Sequence, residues 1–475
     1  MKTTVELPIT ELKHALTGLS KTLCKRPALP VLGHLRCTRT SEGLVTLQTT
    51  DLDSIAVYRA DSVQPAEAVD FLVPFEPLLK LVKGGKHPVQ LTPEGQSKIR
   101  LTTFVGASPL EQVFETPPVD EYPVTPALQG QTIPVDVIFR DCLRQGLECC
   151  GEDPTRHILH HVCVDTSHRD GHYLAATDGK HLYSANSFQF DLAEPVLIPD
   201  RAFLRWNKFL EQGTGELRYQ PEQKGKEPWV QLQSGPWTLI TRTCSDRFPQ
   251  WKQVVPAADS WRTRVQLNEE AAVLLLSGVP QLPVGDNNQS ITLEVQPDRL
   301  LVKARAKDSS QWTQLQVQNV QITGKPVNIS LNRQFLLKAL RFGLSTVDLQ
   351  DDLSPLVFSH GGRRLVVMPV RPPEAAVAAS PTPTSSTPSP TPPTAEPPQA
   401  ITPESPMTKP AATTEPATAV VESPIRQALL KVETIKDTLR GVLREFGDLN
   451  DLLRQVEKNH KASEKEVELV REKLR

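Results

Sequence analysis

The chain reads as an α+β protein assembled from one unit used three times, and three observations predict it. A short apolar run that passes into helical spacing occurs at 70–84 (DFLVPFEPLLKLVKG), at 194–213 (EPVLIPDRAFLRWNKFLEQG) and at 326–343 (PVNISLNRQFLLKALRFG). Its entry points, Pro74, Pro199 and Ser330, lie 125 and 131 residues apart. Thr50-Asp51-Leu52 returns as Thr177-Asp178-Gly179, with a weaker echo ending at Asp308, and these aspartates are 127 and 130 apart. An amphipathic helix opens each unit, at Pro8, at Pro134 and near Asn268. Three features with one spacing argue for triplication, and the period is long enough for each unit to enclose its own core.

Composition narrows the class further. At 475 residues about three domains are expected. A net charge of −2 predicts no partner in bulk, so any polyanion must be met by local charge. The seven cysteines (24, 37, 142, 149, 150, 163 and 244) contain no CxxC pair and are odd in number. No secretory signal opens the chain, so they read as reduced thiols of a cytoplasmic protein. Cys149-Cys150 reads as packing at a helix end. No apolar run is long enough to span a bilayer, so no membrane partner is expected.

In the first unit, 1–124, a helix over 8–23 carries Leu12, Leu16 and Leu19 on one face. Pro27 and Pro30 end it and force an extended entry into a strand. Alternating stretches follow at HLRCTRT, LVTLQTT, SIAVYRA, PVQLTPE and KIRLTTF, the pattern of antiparallel strands with one buried face. The second unit runs over 125–256 and the third over 257–371, each with two helices and several strands. Residues 372–424 change character to Pro/Thr/Ser/Ala with few large apolar groups, and are expected to form a disordered, partly polyproline tether. Over 425–475 apolar residues recur in steps of three and four from Ile425 to Leu474. Only His460 and Ser463 are polar seam positions, so this segment reads as a coiled coil with an unknown partner.

The helices hold the informative charge. Segments 8–26, 75–86, 134–151, 199–213, 267–278 and 330–343 carry +3, +2, −1, +1, −2 and +3, together +6 in a chain whose total is −2. Solvated amphipathic faces explain this blandly. The sharper reading is a surface of equivalent helices that meets a polyanion through phosphates, since no recognition helix, zinc-finger spacing or stacking-aromatic cluster suggests base readout. An enzyme is the first rival. Asp51 and Asp53 could form a metal pair with His157, His160 and His161, yet no third carboxylate or nucleophile–base pair is spaced with them. The reading is therefore non-catalytic, with no catalytic residue, metal or cofactor.

Four segments together resemble a known family: RPALPVLGHL at 26–35, ATDGKHLY at 176–183, DRFPQWKQVVP at 246–256 and LSPLVFSHGGRRLVVMPVR at 353–371. In order and spacing they are similar to the bacterial DNA polymerase III beta subunit, the DNA sliding clamp, over 1–371. The resemblance implies a DNA clamp fold of three repeated domains and a head-to-tail homodimer that closes a ring around double-stranded DNA. It also implies a hydrophobic pocket for short linear peptides of the polymerase alpha subunit, the clamp loader and other partners. The function implied is that of a processivity factor. The alternative is a clamp-like scaffold that recruits partners through its coiled coil.

The resemblance places Arg26 on the DNA-facing surface and, by a poorer match, His157. Helical periodicity adds Lys21, Lys25, Lys80, Arg140, Arg144, Arg205, Lys338 and Arg341. For the peptide pocket the resemblance implies Leu159, Thr177, Gly179, Lys180, His181, Leu182, Pro249, Val254, Leu353, Val366, Val367, Met368, Pro369, Val370 and Arg371. Lys180-His181 departs from the family's His-Arg order and Gln253 from a common arginine, so peptide preference is expected to differ. For the dimer seam it implies the strand near 110–116 with Phe114, and Leu275 and Leu276 of a facing helix. Nothing in the family's pattern corresponds to the tail. Its tether leaves beside the pocket and is expected to concentrate a partner there.

Overall fold

The computed structural model describes residues 3–371, apart from 25, 26, 28, 169, 170, 212–214 and 224. The tether and the heptad segment, 372–475, lie outside the described residues, as do Lys25 and Arg26.

Six α-helices stand among the described residues: α1 (Ile9–Leu19), α2 (Phe75–Gly84), α3 (Val137–Leu147), α4 (Asn207–Leu210), α5 (Glu269–Gly278) and α6 (Arg333–Arg341). α1 and α2 start directly after Pro8 and Pro74, where proline's fixed φ suits the entry to a helix. α3, α5 and α6 are capped by Asp136, Asn268 and Asn332, whose side chains accept from Phe139 N, Ala271 N and Gln334 N at 2.7, 2.8 and 2.8 Å. Two helices begin later than their sequence signals. Pro134 sits in the strand Thr132–Val135 and Ser330 in the strand Val327–Asn332, so the cap, and not the first apolar residue, sets each start. α4 is a single turn. The residues before it close a tight loop in which Arg205 forks onto Asp200, and Phe203, Leu204 and Phe209 are buried.

The strands form four antiparallel sheets. The five alternating stretches of the first unit all become strands, His34–Arg39, Val45–Thr50, Ser54–Arg59, Val89–Pro93 and Lys98–Val105. Two of the sheets are long because they run from one unit into the next. Ser54–Arg59 pairs with Trp237–Arg242, placing Tyr58 opposite Trp237. His181–Phe188 pairs with Arg363–Val367, placing Leu182 opposite Val366. Both seams use equivalent strands of the repeat. Ser54–Arg59, His181–Phe188 and Trp312–Val317 each follow the aspartate turn. Ser108–Glu115, Trp237–Arg242 and Arg363–Val367 each follow a hairpin with a positive-φ glycine, at Gly106, Gly235 and Gly361-Gly362. Glycine adopts that conformation without a Cβ clash. One member of each set is left over: Ser108–Glu115 and Trp312–Val317 are the outermost strands of the two four-stranded sheets.

The seams are closed by packing as well as by ladder hydrogen bonds. At the first, His14 and Tyr58 meet Trp206 and Trp237, with the Trp237 indole N–H donating to His14 Nε2 at 3.3 Å. Gly18 lets the rings approach, since a Cβ there would stand 2.4 Å from Trp237. At the second, Tyr183 packs edge-on against Phe342, and the His181 ring stacks on Phe335 with centroids 4.4 Å apart.

Candidate DNA-facing helices, peptide groove and free edges

The basic residues picked out by periodicity separate into two groups. Lys21, Lys80, Arg144 and Arg341 are exposed, and Arg144 has only a long contact to Asp141 at 3.6 Å. Lys13, Lys83, Lys86 and Lys208 are exposed as well, although periodicity does not single them out. The others are committed elsewhere. Arg140 is 9% exposed and folds back toward Asp136 O. Arg205 is held by both oxygens of Asp200 and by Leu147 O at 2.8 Å. Lys338 donates to Glu148 O at 2.6 Å and meets His181 Nε2 at 2.9 Å. Arg333, part of the +3 of its segment, is buried against the carbonyls of Val279, Leu282 and Pro283. His157 is exposed and faces Asp246 at 2.8 Å, which lowers its value as an anion contact. Formal charge overcounts the free cations because sequence does not separate a solvated guanidinium from one that ties carbonyls together.

Near the second seam, the turn 177–181 is built by its own side chains. Thr177 Oγ1 donates to His181 O at 2.6 Å and accepts from Gly179 N at 3.0 Å. Asp178 Oδ1 accepts from Lys180 N, His181 N and His181 Nδ1 at 2.8–2.9 Å. Burial pushes the Asp178 carboxyl up, but these donors outweigh it and hold the group below the usual carboxylate range. Gly179 takes φ +85° to close the turn.

Met368 N donates to Lys180 O at 3.1 Å, which brings the end of the last strand beside this turn. Leu182 and Val366 lie on the face opposite the main core, in a cluster with Ala175, Val357 and Trp251 and flanked by Tyr173, Phe248 and Trp261. Trp251 is pinned by donating to Asp165 at 2.9 Å.

The remaining pocket candidates take three kinds of position. Leu159 is buried, and Val367 is completely so within the main core, on the face away from Val366. Thr177, Pro369 and Val370 are half-buried, Val370 N donating to Ser330 O at 2.7 Å. Gly179, Lys180, Pro249 and Arg371 are exposed. Three apolar side chains stay open to solvent: Leu353 (53%), Val254 (48%) and Met368 (42%). A cleft of about 1050 Å³ runs along the 248–253 segment, lined by Asp165, Tyr219, Phe248 and Trp251. Of the pocket candidates, that cleft includes Pro249 alone.

At the free edge of the first unit, Leu110 and Val113 are exposed on Ser108–Glu115. Beside them Lys80, Lys86, His87, Phe104 and Phe114 line a cleft of about 810 Å³. At the other end, beside Trp312–Val317, the two leucines of α5 expected at the seam differ, Leu275 being buried and Leu276 half-buried. Leu275 is 1% exposed in its own core, and Leu276 is packed against that core. The helix has turned its Val273 and Leu274 to solvent instead, preceded by Glu269 and Glu270 in its first turn. An all-apolar run AAVLLL gives no periodic cue to which residues face outward.

The metal pair considered from sequence is otherwise engaged. Asp51 Oδ1 accepts from Asp53 N and Ser54 N of its own turn. Among the described residues no group of three or more His, Cys, Asp or Glu side chains could hold a metal ion. Nor does any described helix have the length and apolarity to cross a membrane.

No family model matches the chain. It is 24% identical over 392 residues to the beta sliding clamp of Escherichia coli K12, covering 78% of this chain and all of that protein. The DNA polymerase III beta subunit of Thermotoga maritima superposes with a TM-score of 0.65 at 21% identity, over 78% of this chain and 99% of that one. The beta subunit of Streptococcus pyogenes gives 0.68 at 16%, over 78% and 100%. A sliding clamp from Bartonella birtlesii bound to griselimycin gives 0.66 at 18%, over 78% and 99%. The chain therefore has the sliding-clamp fold over its described part.

Proposed function

We propose that this chain is a DNA sliding clamp: two copies close head to tail around duplex DNA and tether a polymerase and other partners, without catalysis. The observation that carries the reading is the pair of unused edges. Each seam inside the chain joins the strand after the aspartate turn to the strand after the glycine hairpin of the neighbouring unit. The third partnership of that kind needs Trp312–Val317 of one copy and Ser108–Glu115 of another, both of which end their sheets. Exposed apolar edge strands invite such pairing. The units are taken as 1–124, 125–256 and 257–371.

In this reading the DNA surface comprises Lys21, Lys25, Arg26, Lys80, Arg144 and Arg341, with Lys13, Lys83 and Lys86 as neighbours. Solvated lysine and arginine heads give non-specific phosphate contacts that exchange readily as the ring moves. The peptide groove is formed by Leu182, Val366, Val254, Leu353 and Met368 around the 177–181 turn, a soft apolar surface suited to several short motifs. The tail would hold a further partner close to that groove.

The test is retention on DNA. The protein, loaded onto nicked circular DNA by a clamp loader, is expected to stay bound through gel filtration and to leave when the circle is cut. Equal loss from circular and linear DNA would refute a topological link. Griselimycin, the ligand of the Bartonella clamp, is taken as a probe, and the Met368 variant tests whether it seats in the groove. Binding that Met368→Asp weakens about tenfold is expected, and unaltered binding would move the site elsewhere.

A further inference from the structure

We propose that Lys338, a residue of α6, positions the peptide groove by holding His181 in one neutral tautomer. The inference rests on the groove reading above and adds a control point to it. His181 is 3% exposed and lies between groups from two units. Its Nδ1 is 2.8 Å from Asp178 Oδ1, and its Nε2 is 2.9 Å from Lys338 Nζ. An ammonium can only donate and a carboxylate can only accept. The imidazole that satisfies both carries its proton on Nδ1 and offers the Nε2 lone pair to Lys338. Stacking on Phe335, also of α6, fixes the plane of the ring.

The ring's position is transmitted through the backbone. His181 N bonds Asp178, His181 O receives Thr177 Oγ1, and the preceding carbonyl, Lys180 O, receives Met368 N. The turn and the start of the 368–371 segment are thus referenced to one imidazole, and that imidazole to α6. Lys338 also donates to Glu148 O at the C-terminal end of α3, where the helix dipole favours a cation. One side chain therefore ties the end of α3, the groove turn and α6 together.

The charged and titratable groups facing His181 are Asp178 and Lys180 of its own turn and Lys338 of α6. At the end of α3, burial pushes the Cys149 thiol up to about 12, so it stays neutral. Burial, and then Lys338 and Lys180 against the pull of Asp178, hold the imidazole below its ordinary range. Removing the ammonium would let His181 take a second proton more readily, and an imidazolium would still bond Asp178. The hydrogen bond to α6 would be gone, leaving the Phe335 stack alone to hold the ring.

The experiment measures griselimycin affinity of the full-length protein by calorimetry from pH 8 to pH 5.5, for wild type, Lys338→Met and Lys338→Arg. Melting temperatures confirm that each variant is folded. In the wild type the affinity is expected to stay flat until the pH falls through the lowered range of His181. In Lys338→Met it should fall by roughly threefold or more, and the fall should begin at a higher pH than in the wild type. Lys338→Arg, which keeps the cation, should restore the flat profile. A folded Lys338→Met protein with the wild-type profile would overturn the positioning role and leave the groove standing. Absence of griselimycin binding in every protein would overturn the groove reading itself, and the positioning role with it.

Discussion

At the scale of the residue, the first seam depends on one missing side chain. A Cβ on Gly18 would stand 2.4 Å from Trp237 and 2.5 Å from Trp206, two rings whose centroids are 5.0 Å apart and edge-on. Gly18→Ala must push these rings apart, and overpacking of this kind costs about 1–3 kcal/mol. The expected outcome is a lower denaturant midpoint for the variant, although alanine is the better helix former. Asp178 supplies a second prediction. Its carboxylate receives three donors from its own turn, and Asp178→Asn should cost about 1–3 kcal/mol. Because the folded carboxyl lies below its ordinary 3.8, its contribution is present above that pH and fades as pH falls through the lowered value. The gap between wild type and variant in urea melts should therefore be full at pH 7 and narrow toward pH 3. The Thr-Asp-Gly turn itself was legible in sequence. The fate of the arginines was not, because Arg140, Arg205 and Arg333 are written like any solvated helix cation and are committed only once carbonyls or Asp200 fold against them.

At the scale of the element, the repeat is most legible where backbone chemistry enforces it. Proline at a helix entry and aspartate in a strand turn keep their spacing because each satisfies a local conformational demand. The hairpins at Gly106, Gly235 and Gly361-Gly362 carry a further set of positions with nearly the same period, hidden in the sequence because their flanking strands share no pattern. α4 shows the limit of periodicity. Phe203, Trp206 and Phe209 repeat at a helical interval, yet Phe203 and Trp206 are fixed by contact with Trp237 in a tight loop before the single turn begins. The edge strand Ser108–Glu115 is where an element-level prediction belongs. Its Leu110 and Val113 are exposed, and a buried charge without a partner opposes association. Val113→Asp should shift the 1–371 body to a monomer in sedimentation while leaving its circular dichroism and melting temperature near those of wild type. An unchanged mass would remove this strand from the interface.

At the scale of the whole molecule, the body carries two matched ends. Two internal seams use the same strand partnership, and the two unused strands are the ones a second copy would need. The exposed cations Lys21, Lys80 and Arg341 lie on or beside helices of the first and third units. Replacing all three by alanine should weaken DNA retention at every sequence, with the salt slope falling by about 0.9 for each phosphate no longer neutralised. A sequence-dependent decrease would argue against phosphate binding. The most direct test of ring closure is the solution mass of residues 1–371 by light scattering, since this fragment carries both free edges and lacks the heptad segment. Pairing of the free edges predicts a stable dimer at micromolar concentration. A monomer at that concentration would contradict closure through the edge strands, and with it the ring.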